Sequence, residues 1–133
     1  MKPGVEDWIE RGEHDLDAAQ ILLDREAHAD IIHFHIHQAV EKYLKGFLIQ
    51  HGWKLKKIHD LETLITEAVD IDDTFKDYLD VGRKLTAFYY TERYPPGPVS
   101  SYSLEETRRM FQAAGELIEK IKEVLRSGSG TSL

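Results

Sequence analysis

With 133 residues the chain has bulk for one buried core and too little for two. Hydrophobic residues at 41% and charged residues at 31% exclude a disordered composition, and a formal charge of −7 argues against loose wrapping of DNA or RNA, leaving room for a local basic pocket. The absence of cysteine removes disulfides, thiolate catalysis and Cys-based zinc sites, and with no long apolar run and no signal peptide the expected setting is the cytoplasm, away from membranes.

In chain order, Trp8, Ile9, Gly12, Leu16, Ala19, Ile21, Leu22 and Leu23 recur mostly at three- and four-residue steps, which predicts an amphipathic helix over 5–25. Ile32, Ile36, Val40, Tyr43, Leu44, Phe47 and Leu48 predict a second from Asp30 to about Gln50, stopped by Gly52. The basic connection KLKKIHD leads to a short helix on Leu61, Leu64, Ile65 and Ala68, with Asp60 as its N-cap. Phe75 to about Tyr90 reads as a fourth main element, and the prolines of RYPPGPVSSYS force a loop after it. Ser103 and Glu106 have capping-box spacing before a last long helix on Leu104 to Leu125. The expectation is all-α: an up-and-down four-helix bundle with an additional short helix, residues 1–126 forming one domain and 127–133 a flexible tail.

HFHIHQAVEKYLKG, residues 33–46, alternates three histidines, as a strand would, but the flanking apolar residues keep a helical period. On a helix His33 and His37 share a face at chelating distance while His35 turns away, so these two are the metal candidates. A closed site would need His59 or Asp15 from elsewhere, and the plainer reading is a helix boundary of half-buried imidazoles. Asp15 itself reads as a structural partner for a Lys or Arg of the second helix. Gln38, Glu41, Lys42 and Lys45 follow at i, i+3, i+4 and i+7, a polar stripe read as a solvated face.

GEHDLDAAQILL, HQAVEKYLKGFL, IHDLETLI and YYTERYP occur in this order from about Trp8 to Leu125, and together they resemble the HEPN family. The resemblance implies a small helical bundle associated with nucleotide binding, commonly a homodimer, often paired with a minimal nucleotidyltransferase and found in toxin–antitoxin systems. In the family's ribonuclease branch an Arg and a His separated by four to six residues form the active site. Arg93 stands at the matching place, but Pro98, Val99 and Ser100 occupy the positions where the His belongs, and no histidine follows His59. Arg11 and Arg25 also lack a His at the required distance, so the expected role is binding and not cleavage.

An Arg fork, one or two lysines and an aromatic face suffice to hold a nucleotide's phosphate and base. The candidate ligand-binding residues are therefore Arg93, Tyr94, Tyr90, Lys45, Lys42 and Lys84, with ATP or GTP as ligand and no required cofactor. Two alternatives stay open. One is a divergent metal-independent ribonuclease acting on RNA through Arg93 and His59 as its catalytic candidates, the other an interaction module without a ligand.

Overall fold

A computed structural model of the chain describes residues 1–93 and 102–130, except for the side chains of 91–93 and 129–130. Among the described residues five α-helices follow one another: α1 (Val5–Asp24), α2 (Ala29–Gln50), α3 (Leu61–Val69), α4 (Leu79–Arg93) and α5 (Leu104–Gly130), with a 3-10 helix, Asp73–Tyr78, leading into α4. No strand occurs among the described residues, so the expected all-α bundle forms. No described helix is long and apolar enough to cross a membrane.

The helix ends follow from local chemistry. At the end of α2 the Trp53 N–H donates to the Leu48 carbonyl and the Gly52 N–H to that of Ile49, both at 3.0 Å, with Gly52 at φ 92°. This left-handed closure satisfies carbonyls that the helix would otherwise strand, and glycine adopts it without steric cost. α1 closes in the same pattern, Ala27 N–H to Leu22 O at 2.9 Å and Glu26 N–H to Leu23 O at 3.0 Å, but here the left-handed residue is Glu26 at φ 52°. An L side chain in that conformation costs roughly 1–2 kcal/mol, part of which glycine returns as unfolded-state entropy. Glu26→Gly should therefore raise stability by about 0.5–1 kcal/mol; an unchanged or lower urea midpoint would contradict this account of the turn.

At the helix starts the Asp60 carboxylate accepts the Glu62 N–H at 3.2 Å and the Thr63 hydroxyl at 2.7 Å, capping α3 as its sequence predicts. The Leu61 N–H goes to Thr86 Oγ of α4 at 3.0 Å, tying the short helix to the bundle. Ser103 Oγ accepts the Glu106 N–H at 3.0 Å and begins α5.

α2 is the centre of the fold, packed against α1, α3, α4 and α5. It lies antiparallel along α1: a Cβ at Gly12 would stand 2.8 Å from the Tyr43 ring and 3.3 Å from the Ala39 carbonyl, and one at Gly46 would press on Ile9 and Trp8. The two glycines are notches that let the helices close. Ile32, Ile36, Val40, Leu44 and Phe47 of α2 are fully buried against Leu61, Leu64 and Ile65 of α3 and Ala114, Leu117 and Ile121 of α5. A helix flanked by four others buries nearly all of its circumference, which decides what happens to its polar residues.

Two boundaries depart from expectation. The element opening at Phe75 is a 3-10 turn, because the Asp72 carboxylate takes both the Thr74 N–H at 3.0 Å and its hydroxyl at 2.6 Å, a local bond that competes with an α-helical start. Phe75 is swung fully into the core, and α4 becomes regular only from Leu79. α5 runs on to Gly130, through residues expected to belong to the tail; a long helix propagates at one hydrogen bond per residue into a sequence that could not nucleate it. The expected loop at 94–101 and the last three residues, 131–133, lie outside the described residues.

Candidate functional site

The stripe expected to be solvated on α2 is partly interior. Glu41 and Lys45 are 5% and 4% exposed and paired, with Lys45 Nζ 2.9 Å from Glu41 Oε2. Lys45 Nζ also lies 5.8 Å from the centre of the Trp8 ring on α1, a cation–π contact. The remaining partner of the carboxylate comes from the connection between α2 and α3: His59 Nδ1 stands 3.1 Å from Oε2 and 3.3 Å from Oε1. An ionised carboxylate only accepts, so His59 donates from Nδ1 and its Nε2 is left for solvent or a ligand. The imidazole is 58% exposed above the buried acid, and the α3 cap at the adjacent Asp60 fixes the chain that carries it.

One turn before Glu41 on the same helix, His37 is 1% exposed, and its Nδ1 is 3.6 Å from Glu41 Oε1, beyond hydrogen-bond reach. Its ring stacks on Tyr89 of α4, centroids 4.1 Å apart and planes 19° from parallel. Tyr89 meets Tyr90 edge-on at 5.2 Å, and Tyr90 is 46% exposed. A continuous row of contacts thus runs from His59 through Glu41 and His37 to Tyr89 and out to Tyr90. Burial pushes His37 down to about 4, although the Glu41 charge works the other way, so this ring is neutral at pH 7.

The profile of the HEPN domain family matches residues 5–124, almost all of this helical core. The chain belongs to the HEPN family. Among solved structures this HEPN chain is similar to TT1696 from Thermus thermophilus, with 26% identity, TM-score 0.73, and coverage of 90% of this chain and 96% of that one. It is likewise similar to ST0689, an archaeal HEPN homologue, with 25% identity, TM-score 0.72, and coverage of 92% and 98%. No curated protein matches it.

The other candidates of this HEPN chain are dispersed. Lys42 pairs with Asp15 at 2.5 Å, an acid that also holds His35 Nδ1 at 2.9 Å, so Asp15 is the structural partner its position on α1 suggested. Lys84 is on the surface of α4 with Asp80 at 3.1 Å. The two metal candidates have separate neighbours, since His33 Nε2 is 3.1 Å from Thr107 Oγ1 of α5 while His37 faces Tyr89. Among the described residues no group of three or more His, Asp or Glu is placed to hold a metal. Arg93 ends α4, but its side chain, like the whole of Tyr94, lies outside the described residues.

The connection beside His59 holds cations that motif spacing did not single out. Lys54, Lys56 and Lys57 are exposed, and none makes an ion pair with a described residue. In a chain whose formal charge is −7, this is a local concentration of unneutralised cations next to an outward-facing imidazole. Glu41 was missed as well: it belongs to the polar stripe of α2 but not to the residues expected to bind.

Proposed function

We propose that this HEPN protein binds a nucleotide at the His59 end of α2. Lys54, Lys56, Lys57 and His59, which as an imidazolium donates from Nε2 as well as from Nδ1, contact phosphate oxygens, and Tyr90 offers an aromatic face to the base. The observation that carries this reading is the outward-facing His59, anchored through Nδ1 on the buried Glu41 and flanked by unpaired lysines. Lys45, whose charge is held inside by Glu41, supports the site from beneath instead of touching the ligand. Family membership supports the same reading, and it supports work as one member of a pair with a minimal nucleotidyltransferase, including pairs of the toxin–antitoxin kind. The role is binding, since the family's Arg and His spacing for RNA cleavage is missing from the sequence.

Calorimetric titration with ATP and GTP tests it. Saturable heat is expected from at least one of them, weakened about tenfold by His59→Ala and by Lys56→Glu combined with Lys57→Glu, and weakened further as salt rises. Flat titrations with both nucleotides would overturn the reading, and loss of intact RNA on long incubation, abolished by His59→Ala, would replace it with the ribonuclease alternative.

A further inference from the structure

A groove of about 650 Å³ runs between α1 and α5 and shares no residue with the His59 site. Its floor is apolar, formed by Leu16 of α1, Tyr78 at the end of the 3-10 turn, and Phe111 and Ile118 of α5. Its rim is acidic: Asp17, Glu116, Glu119 and Glu123 stand beside one lining cation, Lys120, whose ammonium is already 3.9 Å from Asp72, and of the four only Glu119 has a lysine of its own among the described residues, Lys122 at 3.6 Å. The negative field reaches the floor, where burial first, then Glu116, Asp77 and Glu123, hold the Tyr78 hydroxyl above its usual range.

Gly115 adds an independent observation. It lines the groove in the interior of α5, where glycine costs a helix about 1 kcal/mol relative to alanine. Gly12 and Gly46 repay that cost by letting α1 and α2 close, but a Cβ at Gly115 would meet nothing within 4 Å, and its backbone is not in the left-handed region. Neither the turn geometry nor the internal packing requires a glycine here. What it leaves is bare backbone facing open space, the condition for close approach by another chain.

We propose that this groove is the docking site for an amphipathic, Lys- and Arg-rich helix of a different polypeptide. Its apolar side lies on Leu16, Phe111 and Ile118 and comes nearest over Gly115, while its cations meet Asp17, Glu116 and Glu123 and compete with Lys122 for Glu119. Charge argues against a second copy as occupant, because a two-fold contact through this face would lay its carboxylates against themselves.

Fluorescence anisotropy on the full chain tests the proposal, using a labelled peptide of roughly 20 residues with leucines on one helical face and lysines on the other. The control is a peptide of the same composition in scrambled order. Tighter binding of the ordered peptide, by about tenfold or more, is expected. Gly115→Trp fills the groove from a position with free space and should weaken binding at least tenfold while leaving the circular dichroism melt intact. Glu116→Lys with Glu119→Lys should do the same, whereas His59→Ala should have no effect. Equal affinity for the two peptides, or binding that survives Gly115→Trp, would overturn the proposal. So would sedimentation in which Gly115→Trp turns an oligomer into a monomer, for the occupant would then be a second copy.

Discussion

Between pH 7 and pH 4 the urea midpoint of the protein should fall steeply, and two buried imidazoles should account for most of the slope above pH 5. His33 and His37 are 2% and 1% exposed, and burial pushes each down to about 4 from an ordinary 6.5. Neighbours oppose this only in part: Glu106 for His33, and Glu41, the polar backbone of His59 and Asp60 for His37, where the charge of the His59 imidazole adds to the lowering. The unfolded chain therefore takes up protons first. Stability is complete above about 6.5 and is lost as the pH falls towards 4, the window in which the unfolded histidines are charged and the folded ones are not. Each ring forfeits on the order of 3 kcal/mol across that window, and the pair together an amount comparable with the whole stability of a typical domain.

The hydrogen bonding explains why these rings resist protonation. Thr107 donates its hydroxyl to the Ser103 carbonyl at 2.9 Å, so it accepts from His33 Nε2–H at 3.1 Å and fixes that tautomer. The proton that acid would add must go to Nδ1, a buried atom without a partner among the described residues. For His37 both nitrogens are in that position, and the ring gains instead from lying flat on Tyr89. Urea unfolding of the protein at pH 7, 6, 5 and 4.5, repeated with His33→Gln and His37→Gln, measures the effect. Each substitution should remove close to one proton from the pH dependence; a slope unchanged in the double variant would rule out these histidines as its source.

The helical period of α1, α2 and α5, the stop at Gly52 and the caps at Asp60 and Ser103 are local properties, set by residues within a few positions of one another, and each appears where expected. Phe75 was misplaced because the deciding bond, Asp72 to Thr74, is a side-chain competitor that periodicity does not register. The site was less legible. Gln38, Glu41, Lys42 and Lys45 share one spacing, and the spacing does not tell that Lys42 stays near the surface with Asp15 while Lys45 goes inside with Glu41. Those fates depend on Trp8, 37 positions before Lys45, and on His59, 18 positions beyond Glu41. A signal was nevertheless present: Val40, Tyr43, Leu44, Gly46 and Phe47 surround the pair with apolar residues on more than one face, the mark of a helix buried on all sides.

Replacing Glu41 should have the largest single-residue effect, and it should act in two separable ways. In Glu41→Ala, Lys45 Nζ remains at a position 4% exposed, beside the Trp8 ring and without an ion-pair partner among the described residues, and an uncompensated buried charge destabilises a domain by roughly 3–5 kcal/mol. Glu41→Gln keeps the shape but not the charge and should fall between Ala and the parent. The double variant Glu41→Leu with Lys45→Met removes both charges, and because the cost of desolvating the pair disappears with them, its urea midpoint should return close to that of the parent protein. The second role does not return with it. His59 loses the acceptor for Nδ1 in Glu41→Ala and in the double variant, whereas the Gln amide oxygen can still accept it, so in those two its Nε2 is no longer aimed, and nucleotide affinity should stay about tenfold down in the refolded double variant. Stability restored together with full affinity would show that Glu41 does not position His59, and stability not restored would show that the ion pair contributes more than it costs to bury.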